Sequence, residues 1–96
     1  MTAPDLCHLA SIAIPGVTFH PIDFGRGMVS ARSHSARVTH RPDVDGYTVT
    51  VRGNGADYQG AGDTIADAHR DALECRDQHE RTRAFADPQT QGLLDL

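Results

Sequence analysis

The stretch that decides the fold is GAGDTIADAHRDALECRDQHE, residues 60–80, in which a glycine-rich turn runs into an amphipathic helix. Thr64, followed three positions later by Asp67, is the signature of a capping box at a helix start. Small or apolar side chains then recur at helical spacing in one stripe: Ile65, Ala68, His69, Ala72, Leu73, Cys75 and His79. We therefore expect a helix over about residues 64–84 that lies on a sheet through its alanine-rich side.

The strands are clearest immediately before this helix. Residues 46–52, GYTVTVR, alternate between apolar and polar side chains, which predicts a strand with one buried and one solvated face. The following Gly53-Asn54-Gly55 suits the positive φ angles of a tight hairpin turn. The next segment, ADYQGA at residues 56–61, is therefore expected to return as an antiparallel strand.

The N-terminal half has a less regular pattern. Residues 4–13 suit a short helix that ends before a Pro-Gly pair. Residues 17–22 suggest a short strand, and Pro21 predicts that this strand lies at a sheet edge. Residues 28–40 fit either one long irregular strand or a hairpin that bends at Ser33-His34-Ser35, and the sequence leaves both alternatives open.

This order of elements predicts an α+β fold in a single domain. A small antiparallel sheet of three to four strands carries a short N-terminal helix and a long C-terminal helix, both packed on one of its faces. We place the domain at residues 1–86 and a C-terminal tail at residues 87–96.

The chain has few large apolar side chains with which to build a core. Ile, Leu, Val and Phe make up about 20% of the sequence, and Trp is absent. A thin core, exposed sheet edges and the apolar tail residues Leu93, Leu94 and Leu96 together predict a homodimer. The sequence has no run of about 18 apolar residues and begins without a basic, signal-like segment. We therefore expect a cytoplasmic protein with no membrane span.

Charge is distributed unevenly along the chain, whose net charge is −4. Residues 1–25 carry −2, residues 26–52 carry +3 and residues 53–96 carry −5. The positive segment has no acid between residues 25 and 42. Its candidate contacts for an anion or a nucleic acid are Arg26, Arg32, Arg37 and Arg41.

Three interpretations of this basic segment remain open. It could bind nucleic acid phosphates, it could bind an acidic protein, or it could be a solvated strand face whose arginines pair with acids of the helix. Because no aromatic residues are interleaved with the arginines, base stacking on a single strand is not expected. The acids on the polar side of the helix, Asp67, Asp71 and Glu74, form the candidate surface for a basic protein partner.

The cysteine and histidine residues give no clear chemical site. Cys7, His8, Cys75 and His79 could supply a two-Cys, two-His zinc site, but Cys7 and His8 are adjacent rather than separated by roughly two to four residues. A disulfide between Cys7 and Cys75 is the other alternative. No catalytic signature of Ser, Cys, His and Asp is recognisable. The sequence therefore predicts no metal, no cofactor, no catalytic residues and no enzymatic activity.

Residues 45–74, DGYTVTVRGNGADYQGAGDTIADAHRDALE, resemble the strand–strand–helix part of HicB-type antitoxin domains. The resemblance rests on an aromatic strand, a GDT-type turn and an alanine-rich helix start, and the matching residues are Tyr47, Gly62, Asp63, Thr64, Asp67, Ala68 and Ala72. The same stretch is similar to the C-terminal half of double-stranded RNA-binding domains. It departs from that family because Asp63 and Asp67 stand where a basic cluster is implied.

Small size, acidity and the lack of catalytic motifs favour a non-enzymatic binding module that occupies a protein surface. We predict an inhibitor of the anti-CRISPR kind, from a phage or mobile element, whose acidic helix binds a basic surface of a nucleic-acid-handling complex. The resemblance implies an alternative, a HicB-like antitoxin or regulator that neutralises a small toxin. A second alternative is a nucleic-acid-binding protein that uses residues 26–41.

Overall fold

The computed structural model describes residues 1–43 and 45–85, with side chains described as far as Thr82. These residues form, in chain order, α1 (Ala3–Ala13), β1 (His20–Gly25), β2 (Met28–Arg32), β3 (Ala36–His40), β4 (Tyr47–Arg52), β5 (Asp57–Gly62) and α2 (Ile65–Phe85). The strands make one antiparallel sheet in the order β1-β2-β3-β4-β5. The α+β class and both predicted helices are confirmed.

The sheet has five strands rather than the predicted three to four, because residues 28–40 form the hairpin β2–β3. The side chain of Ser33 builds its turn. The Ser33 Oγ accepts hydrogen bonds from the amides of Ala36 (2.9 Å) and Ser35 (3.3 Å) and donates one to the Ala36 carbonyl oxygen (2.8 Å). A turn closed by a serine hydroxyl needs no glycine or proline, which is why the sequence alone does not choose between hairpin and single strand.

The first strand, β1, lies at an edge of the sheet, as Pro21 predicts. It begins at His20 rather than at residue 17. A bulge between Asp23 and Gly25 shifts its register with β2, and the Gly25 amide donates to the Asp23 Oδ1 at 2.8 Å. A proline and a bulge both limit the pairing of an edge strand with another chain.

Both helices pack on the same face of the sheet. α1 lies over β1 and β2, and α2 lies over β4 and β5. The core between helices and sheet consists of Ala3, Leu6, Ala10, Ile14, Phe19, Val29, Ala31, Ala36, Val38, Val49, Val51, Tyr58, Ile65, Ala68 and Ala72. Within β2 to β5 these are alternate positions, so the intervening side chains point to the face that neither helix covers.

The closest approach of helix to sheet is between α2 and β5. A Cβ atom on Gly60 would overlap the backbone of Ala68 and Ala72. A Cβ atom on Gly62 would stand 2.8 Å from the Ala68 nitrogen, which is also closer than atoms tolerate. Two glycines on the strand therefore face two alanines on the helix, and this arrangement fixes the distance between the two layers.

The N-terminus of α2 is capped as the sequence predicts. The Asp67 amide donates to the Thr64 Oγ1 at 3.1 Å, which satisfies one of the free amides of the first turn. The second half of the capping box is absent from the described residues. The Asp67 carboxylate instead accepts a hydrogen bond from Arg70 at 3.3 Å.

The buried stripe of α2 is narrower than predicted. Ile65, Ala68 and Ala72 are buried, but Cys75 and His79 are exposed. The stripe continues through Arg76, which is half-buried and lies about three turns after Ile65 on the same line of the helix. The apolar character of Cys75 favours it in the sequence pattern, but Cys75 is exposed, and the half-buried Arg76 has a long apolar stem that can cover the sheet.

The predicted tail at residues 87–96, with Leu93, Leu94 and Leu96, lies outside the described residues. The boundary at residue 86 and the homodimer therefore stay predictions. Within the described ranges, no helix combines the length and the apolar character needed to cross a membrane.

Replacement of Gly60 by alanine tests the contact between α2 and β5. The added methyl group meets helix backbone rather than a movable side chain, so we expect Gly60→Ala to lower the free energy of unfolding by at least about 2 kcal/mol. Urea denaturation measures the loss. The matched control is Ala61→Ser, one residue along on the exposed face, which should change stability by less than about 0.5 kcal/mol. Equal stability of the two variants would contradict the close packing.

Replacement of Thr64 tests the helix cap. Thr64→Ala removes the acceptor for the Asp67 amide and should cost about 1 kcal/mol. Thr64→Ser keeps the hydroxyl and should retain most of the stability. Thermal unfolding followed by circular dichroism separates the two, and an alanine variant as stable as the serine variant would remove Thr64 from the cap.

Candidate binding surface on the uncovered face of the sheet

The face of the sheet opposite the helices carries polar and basic side chains in ordered rows. One row crosses all five strands, because its members are successive antiparallel partners: His20, Arg32, Arg37, Thr50 and Gln59. The next row runs parallel to it: Ile22, Ser30, Thr39, Thr48 and Ala61. Side chains of such partners lie about 5 Å apart at their Cβ atoms, so each row is continuous.

Two arginines stand directly opposite one another in the first row. Arg32 of β2 and Arg37 of β3 are Cα partners, and both are exposed. Like charges at directly opposed positions destabilise a sheet. The folded protein therefore holds a local excess of positive charge that an anion on this face would relieve.

Two further arginines join this pair. Arg41 follows β3 and shares a depression with Arg37, while Arg52 at the end of β4 shares another with Arg32 and Arg37. Arg52 lies opposite Asp57 in the register of β4 and β5, yet the two form no salt bridge. We name Arg32, Arg37, Arg41 and Arg52 together the arginine face.

Two shallow depressions follow the arginine face. The larger, of about 870 Å³, lies at the β2–β3 turn and is lined by His20, His34 and Asp57 besides three of the arginines. The smaller, of about 420 Å³, is lined by residues from all five strands and includes Phe24 and Met28. Arg37 and Thr50 line both, so together the depressions form one groove across the sheet.

The structure changes the predicted set of basic contacts at two positions. Arg32, Arg37 and Arg41 lie together as expected, but Arg26 sits in the β1–β2 turn with a positive φ of 57° and lines neither depression. Arg52 was not among the predicted basic contacts, although it occupies the same face as Thr48 and Thr50 in the alternating segment at residues 46–52. The alternation itself was the signal that could have identified it.

The predicted pairing of these arginines with acids of the helix is wrong. The arginine face and α2 lie on opposite faces of the sheet, so the helix carboxylates cannot reach it. Among the described residues, the one salt bridge joins Arg70 and Asp67, at 3.3 Å on the exposed surface of α2. Asp57, opposite Arg52, is the one carboxylate among the residues that line the two depressions, so the four positive charges of the arginine face are only partly balanced.

The acidic helix residues Asp67, Asp71 and Glu74 are all exposed. Two of them have partners within the chain. The Asp71 Oδ2 accepts a hydrogen bond from the Ala61 amide at 3.1 Å, and Asp67 accepts one from Arg70. Asp71 thereby covers an outward amide of β5, the other edge of the sheet. Unpaired edge amides favour association with other chains, so this carboxylate has a role in the fold whether or not it meets a partner.

The last turns of α2 hold the β4–β5 hairpin in place. The Arg76 Nη1 donates to the Arg52 carbonyl oxygen at 3.2 Å, which fixes the strand end from which the Arg52 side chain projects. The Tyr58 hydroxyl and the His79 Nδ1 share a hydrogen bond of 2.6 Å. Helix side chains on the covered face thus position a residue of the arginine face.

The four candidate zinc ligands, Cys7, His8, Cys75 and His79, do not form a cluster. The described residues contain no group of three or more His, Cys, Asp and Glu residues able to hold a metal ion, and His79 is bonded to Tyr58. Cys7 and Cys75 are free thiols rather than a disulfide. Burial raises the pKa of the Cys7 thiol, which lowers its reactivity as a nucleophile.

One histidine on the helix side has a shifted pKa. Burial, and to a lesser degree the positive charge of Arg76, lower the pKa of His69 below its usual value. Its neutral form is therefore favoured in the folded protein. His69 lies on α2 and has no part in the arginine face.

Replacement of Asp71 separates its role in the fold from a role in binding. Asp71→Ala removes the acceptor for the Ala61 amide and should lower the free energy of unfolding by about 1 kcal/mol. Glu74→Ala removes the same charge from the next turn and should change stability by less than about 0.5 kcal/mol. Hydrogen exchange at the Ala61 amide should accelerate only in the Asp71 variant, and unchanged exchange there would contradict the bond.

Comparison of the chain with protein-family models, with curated proteins and with solved structures found no significant match.

Proposed function

We propose that this protein is a non-enzymatic binding module whose working surface is the arginine face, and that its ligand is nucleic acid. The observation that carries the proposal is the opposed pair Arg32 and Arg37, flanked by Arg41 and Arg52, on a sheet face that no described element covers. Of the alternatives that the sequence left open, this one agrees best with the geometry.

The arrangement of charge supports a polyanion over a single anionic group. The four arginines come from three neighbouring strands, which at about 4.8 Å per strand spread them over a width of about 10 Å. Guanidinium groups bind phosphates through paired hydrogen bonds, and several of them on one surface bind successive phosphates. Thr39, Thr48 and Thr50 lie between the arginines and add hydroxyl groups of the kind that contact phosphate and sugar.

The other functional predictions rest on different surfaces. An inhibitor of the anti-CRISPR kind, or a HicB-like antitoxin, would use Asp67, Asp71 and Glu74 against a basic protein. Two of these carboxylates already accept hydrogen bonds within the chain, whereas the arginine face has no such partners among the described residues. The arginine face is therefore the better candidate, and an acidic helix bound to protein stays a prediction.

The proposal is tested with two variants of equal charge change. Arg32→Gln with Arg37→Gln removes the opposed pair, and Arg70→Gln with Arg81→Gln removes two arginines from α2 as the control. Fluorescence anisotropy with a labelled oligonucleotide, repeated at several salt concentrations, gives the affinity and its salt dependence. The first variant should lose at least about tenfold in affinity, and its slope of log K against log salt should fall by about 1.4 on a single strand.

The control variant should keep the affinity and most of the slope. Equal losses in both variants would mean that net charge alone drives binding, which would contradict a dedicated surface. No binding by the wild-type protein at low salt would contradict the proposal itself. Binding to a copurifying protein that is lost when Asp67, Asp71 and Glu74 are reversed to Lys would favour the acidic helix instead.

A further inference from the structure

Phe24 is the most conspicuous apolar side chain on the face that carries the arginines. Its side chain is 52% exposed, although the chain has only three phenylalanines for its core. It lines the smaller depression together with Met28, Arg37 and Arg41. An exposed aromatic ring in a depression that two arginines also line is available to a ligand on this face.

The bulge in β1 sets the position of Phe24. The register with β2 shifts between Asp23 and Gly25, the residues on either side of it. The Asp23 side chain closes this bulge by accepting the Gly25 amide at 2.8 Å. Bulges commonly redirect a side chain, and here the bulge holds the ring at the rim of the groove instead of in the core.

We infer that the uncovered face binds single-stranded nucleic acid, with Phe24 as the platform on which a base stacks and the arginine face as the contact for the backbone. The inference rests on the proposed function and specifies that the nucleic acid is a single strand. In a duplex the bases are stacked on one another, and only phosphates and groove edges are presented. An exposed ring beside arginines suits an unstacked base, because aromatic stacking with cationic backbone contacts is how single strands are bound without sequence preference.

The rest of the groove agrees with this occupant. Ile22 and Met28 place further apolar surface next to Phe24 and the arginines. Ser30 is 1% exposed, and its hydroxyl is already bonded to Thr39 at 2.9 Å. Thr48, Thr50 and Gln59 remain on the open surface with polar groups that can contact base edges or sugars. Aromatic, apolar and basic groups thus form one continuous strip.

The position of Phe24 removes the reason for expecting no base stacking on a single strand. That expectation considered residues 26–41, in which no aromatic side chain is interleaved with arginine. The aromatic residue is supplied by the preceding strand, and the order β1-β2-β3 brings it to the same depression as Arg41, which is distant in sequence.

The first part of the test compares two probes and four proteins. The probes are a fluorescently labelled single-stranded 12-mer and the duplex of the same sequence. The proteins are the wild type, Phe24→Ala, Phe24→Tyr and Ile12→Ala. Ile12 is 67% exposed on α1, so its variant is a matched control for loss of an exposed apolar side chain. Circular dichroism checks that all four proteins are folded.

The wild type should bind the single strand more tightly than the duplex. Phe24→Ala should weaken single-strand binding by between about fivefold and about a hundredfold, the range that loss of one stacked base produces. Its salt slope should stay unchanged, because no phosphate contact is lost. Phe24→Tyr, which retains an aromatic ring, and Ile12→Ala should bind within about threefold of the wild type.

An abasic single strand of the same length separates stacking from a change in shape. On this probe the wild type and Phe24→Ala should bind equally, because there is no base to stack. Equal loss on the abasic probe, or no loss on the normal strand, would overturn the assignment of Phe24. Duplex binding as tight as single-strand binding would overturn the choice of ligand while leaving the proposed function intact, and no binding to either probe would overturn both.

Discussion

The structure depends on the absence of a side chain at Gly60. Because β5 offers only backbone there, the backbone of α2 at Ala68 and Ala72 can lie directly against it. This close approach compensates for a shortage of large apolar residues, since close-packed layers gain dispersion contacts that small side chains cannot make across a wider gap. With α1 on the same face over β1 and β2, the buried core lies on one side of the sheet, and the other side carries mainly polar residues.

This division leaves one face of the sheet for stability and, in the function that we propose, the other face for binding. The covered face holds the core, the helix cap and the hydrogen bonds from Arg76 and His79 to the β4–β5 hairpin. The uncovered face holds like charges at opposed positions, which weaken the sheet slightly. The packing on the covered face offsets this loss of stability. A binding surface built on strands also keeps its side chains at fixed spacing, which reduces the conformational entropy lost on binding.

Local signals in the sequence predicted the parts of the fold that local chemistry controls. The cap at Thr64 and the strand at residues 46–52 follow from spacing and alternation, and both are confirmed. The sequence did not decide between a hairpin and a single strand at residues 28–40, because the Ser33 side chain, rather than a glycine, closes the β2–β3 turn. The candidate site was only partly predictable: Arg52 lay in the visible alternation, but the presence of Phe24 and Arg41 in one depression depends on strand order, which no local pattern contains.

The central claim is that the uncovered sheet face, and not α2, meets the ligand. Amide chemical-shift mapping of ¹⁵N-labelled protein during titration with a single-stranded oligonucleotide tests it residue by residue. The account predicts that the perturbed amides cluster on β1 to β4, around Phe24, Arg37 and Thr48, while α2 stays unchanged apart from its end at the β4–β5 hairpin. Perturbations concentrated on Asp67 and Glu74, with the sheet unaffected, would contradict it.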